Sequence, residues 1–495
     1  MTLQDGVPMR TMLPLLLSLV WLLPFSPGPT PAVAGWLMAF LGVGFVVLFR
    51  AKISESGVVD GWILAAVASA IFGILQYFGQ TLALSPWVHA TGLGEAYANL
   101  RQRNQFATLT SIGLLALLWQ VSGAWAEQAV ALRSAALWAV LLGLGNAASG
   151  SRTGLLQWAT ILAVYSVVWT VGERKRALAV VTIAMLAYAG GSVALPWLLD
   201  ASTGIHSDGL LGRFKEESGC ASRTVLWSNV LHLIAQRPWI GWDWGELDYA
   251  HFITLYPGER FCEILDNAHN LPLHLAVELG IPVAAAFCGA CAWLVWRNKP
   301  WAETDPTRQL AWGVLAVIGL HSMLEYPLWY GPFQLAVVLC IWLLWRSPEA
   351  YAKPVQGPLP VRAATGVAAV ILLALCTYVA WDYWRISQIY LPPSARHAAY
   401  RDDTLAKIQG SWLFRDHVRF AELTTTPLDE DNAAHIHALG KAMLHFSPEP
   451  RVVEKVIESA VMLGQDDEAL FYLQRYKAAF PVQHARWSAA LKVPK

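Results

Sequence analysis

The segment ALAVVTIAMLAYAGGSVALPWL, residues 177–198, contains 22 consecutive residues without a charged side chain. A helix needs about 20 mostly apolar residues to cross the hydrocarbon core of a bilayer. The basic run Arg174-Lys175-Arg176 directly precedes the segment, and such runs are typical of the cytoplasmic end of a span. The segment therefore predicts a transmembrane helix that begins on the cytoplasmic side.

Comparable apolar stretches recur through the first 383 residues. They predict an all-α, polytopic membrane bundle of eleven spans, near residues 11–28, 32–50, 61–79, 105–121, 129–147, 154–172, 177–198, 271–296, 309–325, 327–345 and 361–383. The composition agrees, since 56% of the residues are hydrophobic and 14% are charged, against roughly 45–50% and 25% in soluble domains. These values exclude a secreted or cytosolic enzyme. Basic and acidic residues number 35 each, so net charge does not indicate a nucleic-acid partner.

Charged residues are unevenly distributed along the chain. The last 112 positions hold 27 of them and the first 383 hold 43. We therefore predict a transmembrane domain over 1–383, with a long non-apolar loop over 199–270, and a soluble helical domain over 384–495. In the second domain, Gly464, Ala469 and Pro481 follow the second half of a tetratricopeptide unit, although Tyr476 stands where that repeat prefers a small residue. A small helical bundle is the alternative.

Lys and Arg in the short connections predict the orientation, because cytoplasmic loops carry the excess. One set of alternate connections holds thirteen: Arg10, Arg50, Lys52, Arg133, Arg174, Lys175, Arg176, Arg297, Lys299, Arg308, Arg346, Lys353 and Arg362. The other set holds Arg101, Arg103 and Arg152. The N-terminus is thus expected in the cytoplasm, and the 199–270 loop and C-terminal domain in the periplasm. A cleaved signal peptide within 1–34 is an alternative that leaves the remaining topology unchanged.

Two of the six cysteines, Cys220 and Cys262, lie in the predicted external loop, where the compartment is oxidising. A disulfide between them would close about 42 residues and stabilise the loop by roughly 4 kcal/mol. Two free thiols are the alternative. The other four cysteines are expected as packed thiols inside spans.

Two arginine clusters stand at predicted outer mouths of spans. Arg101 and Arg103, followed by Asn104 and Gln105, open the fourth span, where fork-shaped donors and free helix N–H groups are able to hold an anion. Arg152 lies in Ser149–Gly154, among small residues that permit close backbone approach. Anchoring to lipid headgroups is the alternative for both clusters.

The external loop carries a third cluster. Ser222 to Gln236 has helical periodicity and includes Arg223, and Pro238 is expected to stop this helix before a turn that holds three tryptophans within six residues. Such tryptophans are typical of a membrane interface, and they also resemble a platform on which sugar rings stack.

A fourth cluster surrounds His269. Asn270 is a plausible N-cap with Pro272 in the first turn, so the eighth span is expected to begin there with His269 just outside it. A neutral histidine at a membrane mouth is a candidate general base. A structural histidine, or a metal site with Cys262, Glu263 and Asp266, is the alternative.

His321 and Glu325 form a fifth, weaker pair at the outer end of the ninth span. They lie one helical turn apart and are able to satisfy each other.

In chain order, these groups resemble the O-antigen ligase and polymerase superfamily, and most closely its PglL-type O-oligosaccharyltransferase branch. The residues that carry the resemblance are the run from Asn99 to Phe106, Ser151-Arg152, Arg223 with Pro238 and Gly241, His269-Asn270 with Glu278 and Gly280, and His321 with Glu325 and Pro327. Each motif is short, but their order and their shared membrane side make the resemblance fairly specific over nearly the whole chain.

The resemblance implies a metal-independent, inverting glycosyltransferase of the bacterial inner membrane that needs no cofactor. It would take a glycan from undecaprenyl pyrophosphate at the periplasmic face, with Arg152 and Arg223 holding the pyrophosphate and His269 activating the acceptor hydroxyl. The other site residues are expected to bind substrate: Arg101, Arg103, Asn104, Gln105, Asn270, His321 and Glu325. The surroundings of Asn104 and Glu325 favour a Ser or Thr of a pilin-like protein as acceptor. A lipopolysaccharide core sugar or a growing glycan is the alternative.

Two other classes of function compete with this interpretation. A transporter of polyprenyl-linked glycan would also be polytopic, but such proteins often show repeated halves and charged or broken helices at mid-membrane. A structural assembly factor that docks partners through its tail would leave Arg152, Arg223 and His269 unexplained. Membrane lipids are expected partners under each interpretation.

Overall fold

The computed structural model describes residues 7–25, 28–30, 32–49, 53–122, 129–169, 174–205, 209, 219–345 and 359–491. Across these ranges the regular structure is helical throughout, without a strand. The predicted all-α class is therefore confirmed.

The helices, numbered in chain order, have the following bounds: α1 Val7–Leu22, α2 Ala32–Phe49, α3 Glu55–Tyr77, α4 Arg103–Val121, α5 Ala129–Ser149, α6 Arg152–Ala163, α7 Arg174–Thr203, α8 Arg223–Gln236, α9 Leu247–Ile253, α10 Leu271–Leu279, α11 Ile281–Asn298, α12 Pro306–Ser322, α13 Gly331–Trp345, α14 Leu359–Ser387, α15 Thr404–Ile408, α16 Arg415–Thr425, α17 Ala433–Leu444, α18 Pro450–Met462, α19 Asp466–Ala479 and α20 Pro481–Leu491.

The chain divides into two compact units. The membrane unit comprises Met1–Ser26, Thr30–Glu216 and Leu294–Tyr378, and the loop-tail unit comprises Pro27–Pro29, Glu217–Trp293 and Val379–Lys495. The division at Val379 and the predicted domain boundary at Trp384 both fall inside α14.

Helix α4 forms the centre of the membrane unit. From Gln105 to Leu118 each of its side chains is buried, and it packs against α3, α5, α6 and α12. Small residues allow this close packing: a Cβ added to Gly113 would lie 2.3 Å from Ala66 Cβ. The polar side chains at the first turn of α4 are therefore held among several helices.

Four helices are long and apolar enough to cross a membrane: Glu55–Tyr77, Lys175–Thr203, Ile281–Ala302 and Ala363–Tyr390. Each of the eleven predicted stretches overlaps at least one helix, although the count of eleven spans and their orientation stay predictions. The predicted eighth span requires a correction. It begins at Ile281 and not at Leu271, because Gly280 has a φ of +87° that ends α10 and starts a new helix.

The loop-tail unit contains two apolar cores. One joins α8, α9 and α10 through buried residues such as Leu233, Ala250 and Val277. The other fills the space among the C-terminal helices, and Phe252 of α9 lies in it. Arg475 Nε of α19 also donates to Ile253 O at 2.8 Å. The predicted external loop is thus continuous in packing with the C-terminal helices.

The segment that resembles half a tetratricopeptide unit consists of α18, a turn at Gly464 with φ +68°, and α19. Pro481 begins α20 directly after α19. Tyr476 is fully buried, and its hydroxyl donates to Glu454 Oε1. A large residue therefore fills the position where the repeat prefers a small one, and the repeat assignment stays a prediction.

Candidate active site

A chain of polar side chains joins three parts of the membrane unit. Ser151 Oγ donates to Asn104 Oδ1 at 2.6 Å, and Asn104 Nδ2 donates to Glu325 Oε1 at 3.1 Å. Asn104 lies in the first turn of α4, Ser151 directly precedes α6, and Glu325 follows α12. The fold thus brings together residues from three of the five groups singled out in the sequence.

A second set of hydrogen bonds links the same helices. Thr108 Oγ1 lies 2.9 Å from His321 Nδ1, and Gln157 Nε2 donates to Thr108 Oγ1 and to Val317 O, both at 2.9 Å. Ser111 Oγ donates to Gln157 Oε1 at 2.8 Å. Polar side chains within an apolar helical bundle are costly and are retained where they have a role. His321 and Glu325 thus both contact side chains of α4. The sequence analysis considered only a contact between the two residues themselves.

The two arginines at the start of α4 have partners that sequence analysis missed. Arg103 forms an ion pair with Glu95. Arg101 Nε donates to His89 Nε2 at 2.9 Å, and Arg101 adopts a φ of +60°. Burial lowers the pKa of His89, and the charge of Arg101 lowers it further. Since Glu95 neutralises Arg103, the positive charge available to an anion here is smaller than the sequence suggests.

Arg152 is the first residue of α6, and its side chain is half-buried. The preceding Ser151 caps the helix, since its Oγ accepts the N–H of Gly154 at 3.0 Å. Gly154 leaves little space for a side chain, because an added Cβ would lie 2.8 Å from Ala107 Cβ and 2.3 Å from Asn146 Oδ1. The backbone around Arg152 is therefore fixed on both sides.

Arg223 occupies an equivalent position in the loop-tail unit. It is the first residue of α8, and Ser222 Oγ caps this helix by accepting the N–H of Val225 at 3.3 Å. The predicted helix from Ser222 to Gln236 is confirmed. Arg152 and Arg223, the two arginines expected to hold the pyrophosphate, therefore each begin a serine-capped helix. At such a helix N-terminus the helix dipole and free N–H groups favour an anion.

His269 precedes a helix in a similar way. Asn270 caps α10, since its Oδ1 accepts the N–H of Leu273 at 3.0 Å, which confirms the predicted cap. His269 has a φ of +50°, and its N–H donates to Asn267 Oδ1 at 2.9 Å. Trp227 Nε1 donates to Ala268 O at 3.1 Å. The half-buried His269 is therefore set by its backbone at the N-terminus of α10.

Two glycines let the segment after α8 cross the end of α10. A Cβ on Gly280 would lie 2.3 Å from Trp239 O, and a Cβ on Gly241 would lie 2.3 Å from Glu278 O. The contact is hydrogen-bonded as well, since Asp243 N donates to Glu278 O at 3.0 Å. The Gly241, Glu278 and Gly280 positions of the resemblance thus form one crossing.

The three tryptophans beside this crossing differ in environment. Trp239 is 75% exposed and Trp244 is 59% exposed, whereas Trp242 is buried. Trp242 Nε1 donates to Leu233 O at 3.0 Å, and the Arg237 guanidinium lies 4.1 Å from the Trp242 ring. The expected three-tryptophan group is corrected to two exposed rings, because Trp242 belongs to the core.

Acidic residues of the loop-tail unit are held partly protonated. Burial raises the pKa of Glu278 to about 7, and burial raises that of Asp248 to about 8, with a smaller contribution from the negative charge of Asp266. His274 Nε2 lies 3.4 Å from Glu278 Oε2, and burial lowers the pKa of His274 to about 4. These groups lie outside the span that begins at Ile281. Near neutral pH Glu278 and Asp248 therefore carry less negative charge than two ordinary carboxylates would.

The predicted disulfide is confirmed, with Cys220 and Cys262 bonded and their Cα atoms 5.4 Å apart. The bond removes Cys262 from the suggested metal site with Glu263, Asp266 and His269. Among the described residues, no group of three or more His, Cys, Asp or Glu side chains is placed to hold a metal ion.

The site residues that sequence analysis missed are His89, Glu95, Thr108, Ser111 and Gln157. Thr108 lies one turn after Asn104, and Gln157 is a polar residue within an apolar stretch. Helical spacing was therefore a signal for Thr108, and polarity within an apolar stretch was a signal for Gln157. Nothing in the local sequence around Glu95 indicates its pairing with Arg103.

Three family models match the chain in succession. "Protein glycosylation ligase" matches residues 96–119, "O-Antigen ligase" matches 137–288, and "Virulence factor membrane-bound polymerase, C-terminal" matches 309–493. The chain is thus similar to the O-antigen ligase family and to protein glycosylation ligases. The first two matches include Asn104, Arg152, Arg223 and His269, and the resemblance expected from the sequence is confirmed.

Two curated proteins are similar to the chain over long stretches. The general O-oligosaccharyltransferase of Acinetobacter baylyi is 26% identical over 312 residues, which are 61% of this chain and 51% of that protein. The O-antigen ligase of Pseudomonas aeruginosa is 24% identical over 247 residues, which are 48% of this chain and 50% of that protein. The matches thus span about half the length of these curated relatives.

Proposed function

We propose that the chain is a metal-independent, inverting glycosyltransferase. It transfers a glycan en bloc from undecaprenyl pyrophosphate to a Ser or Thr hydroxyl of a pilin-like protein at the periplasmic face of the inner membrane. The observation that carries the proposal is that Arg152, Arg223 and His269 each stand at the N-terminus of a capped helix. All three lie within the stretch that matches the O-antigen ligase family.

The proposed reaction uses these groups at different atoms. The acceptor hydroxyl attacks the anomeric carbon while its proton passes to the His269 imidazole. The bond from the anomeric carbon to the phosphate oxygen breaks, and its electron pair stays with the pyrophosphate. Arg152 and Arg223 stabilise that developing charge through planar, bidentate donors. Attack opposite the leaving group inverts the anomeric configuration.

A sugar hydroxyl as acceptor is the second candidate. The similarity to the O-antigen ligase of Pseudomonas aeruginosa favours it, whereas the similarity to the general O-oligosaccharyltransferase and the match at 96–119 favour a protein acceptor. The donor chemistry is the same in both cases.

Purified protein in lipid nanodiscs tests the proposal. With an undecaprenyl-pyrophosphate-linked glycan, a pilin-like protein should gain glycan mass, whereas a lipopolysaccharide core should not. Glycosylation of the core alone would favour the second candidate. Movement of the donor across the bilayer without a new glycosidic bond would indicate a transporter.

His269→Ala tests the assignment of the base. A positioned base contributes about 10²–10⁴-fold, or roughly 3–5 kcal/mol of barrier, so transfer should fall by that factor while donor binding is kept. His274→Gln is the matched control, because it changes a histidine that is already packed against Glu278, and its effect should be much milder. Equal losses of donor binding and rate in His269→Ala would make His269 a pyrophosphate ligand, and no loss would refute the site.

A further inference from the structure

The amide of Asn104 is engaged at both ends. Its Oδ1 accepts from Ser151 Oγ and its Nδ2 donates to Glu325 Oε1. Ser151 in turn accepts the N–H of Gly154. Protons are therefore donated in one direction, from Gly154 to Ser151, from Ser151 to Asn104, and from Asn104 to Glu325. In this arrangement the Asn104 NH₂ group faces Glu325 and the Asn104 carbonyl oxygen faces Ser151.

This chain of hydrogen bonds passes through Ser151, the residue directly before Arg152. Ser151 is the N-cap of α6. Its side chain connects the Asn104 amide, through one hydrogen bond, to the backbone that begins the helix with Arg152. Glu325, which lies after α12, forms the other end of this chain of hydrogen bonds. The hydrogen bonds therefore link α4, the start of α6 and the end of α12. An amide with both ends occupied in this way is suited to holding protein groups.

We propose that Asn104 is a positioning residue that holds the start of α6, and with it Arg152, in the geometry needed for charge stabilisation. Its role is thus distinct from direct substrate binding. The inference rests on the proposed function, since it assumes that Arg152 acts in glycan transfer. A displacement of about 1 Å in a positioning group is able to lower a rate about a hundredfold.

Exchange of the two functional groups tests the proposal. Asn104→Asp removes the NH₂ donor and places a carboxylate against Glu325, so kcat should fall about tenfold to a hundredfold. Glu325→Gln alone keeps an acceptor for Asn104 and should be mild. The double variant Asn104→Asp/Glu325→Gln restores one carboxylate facing one amide, and it should regain most of the lost kcat.

Combination with Arg152→Lys separates positioning from general damage to the fold. If Asn104 acts through Arg152, Asn104→Asp should lower kcat little further in an Arg152→Lys background. Ser151→Ala breaks the same chain without a new charge and should show the same dependence on Arg152. Thr110→Val is the matched control, because Thr110 is a buried residue of α4 that bonds to Ala107 O within its own helix; it should keep wild-type kcat.

The outcomes distinguish the two proposals. Full activity of Arg152→Lys would refute the proposed role of Arg152 in stabilising the charge on the pyrophosphate. An impaired Arg152→Lys with an additive loss from both Asn104→Asp and Ser151→Ala would refute the positioning role and leave the proposed function intact. Failure of the exchanged pair to recover any activity, with normal amounts of folded protein, would also overturn the positioning role.

Discussion

Replacement of Gly280 by alanine should destabilise the loop-tail unit more than replacement of Gly245, a glycine of the same unit with a similar positive φ. Gly280 has φ +87° and ψ 159°, a region that is essentially restricted to glycine. Its added Cβ would also lie 2.3 Å from Trp239 O and 2.6 Å from Trp239 C. These are backbone atoms, so no flexible side chain is able to move away. The whole crossing over the end of α10 would have to shift.

The structure allows the two contributions to be separated. A strained backbone residue costs about 1–3 kcal/mol, and an added carbon in a filled space costs about 1–3 kcal/mol more. Gly245 also has a positive φ, +83°, but no atom lies within 4 Å of its added Cβ, so Gly245→Ala should carry the cost of a positive φ without the cost of a filled space. Gly280→Ala should therefore lower the free energy of unfolding by about 1–3 kcal/mol more than Gly245→Ala does.

Thermal unfolding of the purified full chain in nanodiscs measures this difference. For a unit of this size, about 1 kcal/mol corresponds to roughly 2–4 °C in Tm, so the Tm of Gly280→Ala should lie about 2–12 °C below that of Gly245→Ala. Transfer activity should fall as well, because the crossing packs against the helix that begins beside His269. Equal Tm values for the two variants would refute the argument that this crossing leaves no space for a side chain.

Three further predictions concern the charges and the orientation. Arg152→Lys and Arg223→Lys should each lower transfer about tenfold to a hundredfold, because each loses charge-assisted hydrogen bonds worth about 1.5–3 kcal/mol; full transfer in both variants would make these residues interfacial anchors. Burial raises the pKa of Asp248 to about 8, so the folded form keeps a proton that the unfolded form releases near its ordinary value, and this stabilisation is present at low pH and lost as pH rises through about 8. Asp248→Asn should accordingly lose less Tm than the wild type between pH 6 and pH 9, and an unchanged pH dependence would contradict this account. Reporter fusions after Lys299 should indicate the cytoplasm and fusions after Arg401 the periplasm, and a cytoplasmic signal after Arg401 would overturn the proposed location of the tail.

The sequence by itself determined the features that depend on neighbours along the chain. Apolar length predicted the helices, because a helix satisfies its backbone groups within one segment. The cap at Asn270 was predicted for the same reason, since a cap bonds to N–H groups two or three residues ahead. The similarity to the O-antigen ligase family was also readable, because short motifs in a fixed order are recognisable without any knowledge of their contacts.

Only the tertiary structure decided which distant residues share a site. The contacts from Asn104 to Ser151 and Glu325 span 47 and 221 residues, and no local pattern specifies such pairs. The burial of Trp242 and the end of α10 at Gly280 both belong to one crossing. There the segment after α8 passes so close to the end of α10 that a side chain has no space at Gly280. Whether a residue is exposed, paired or excluded depends on such packing between segments, and packing is settled only when the whole chain has folded.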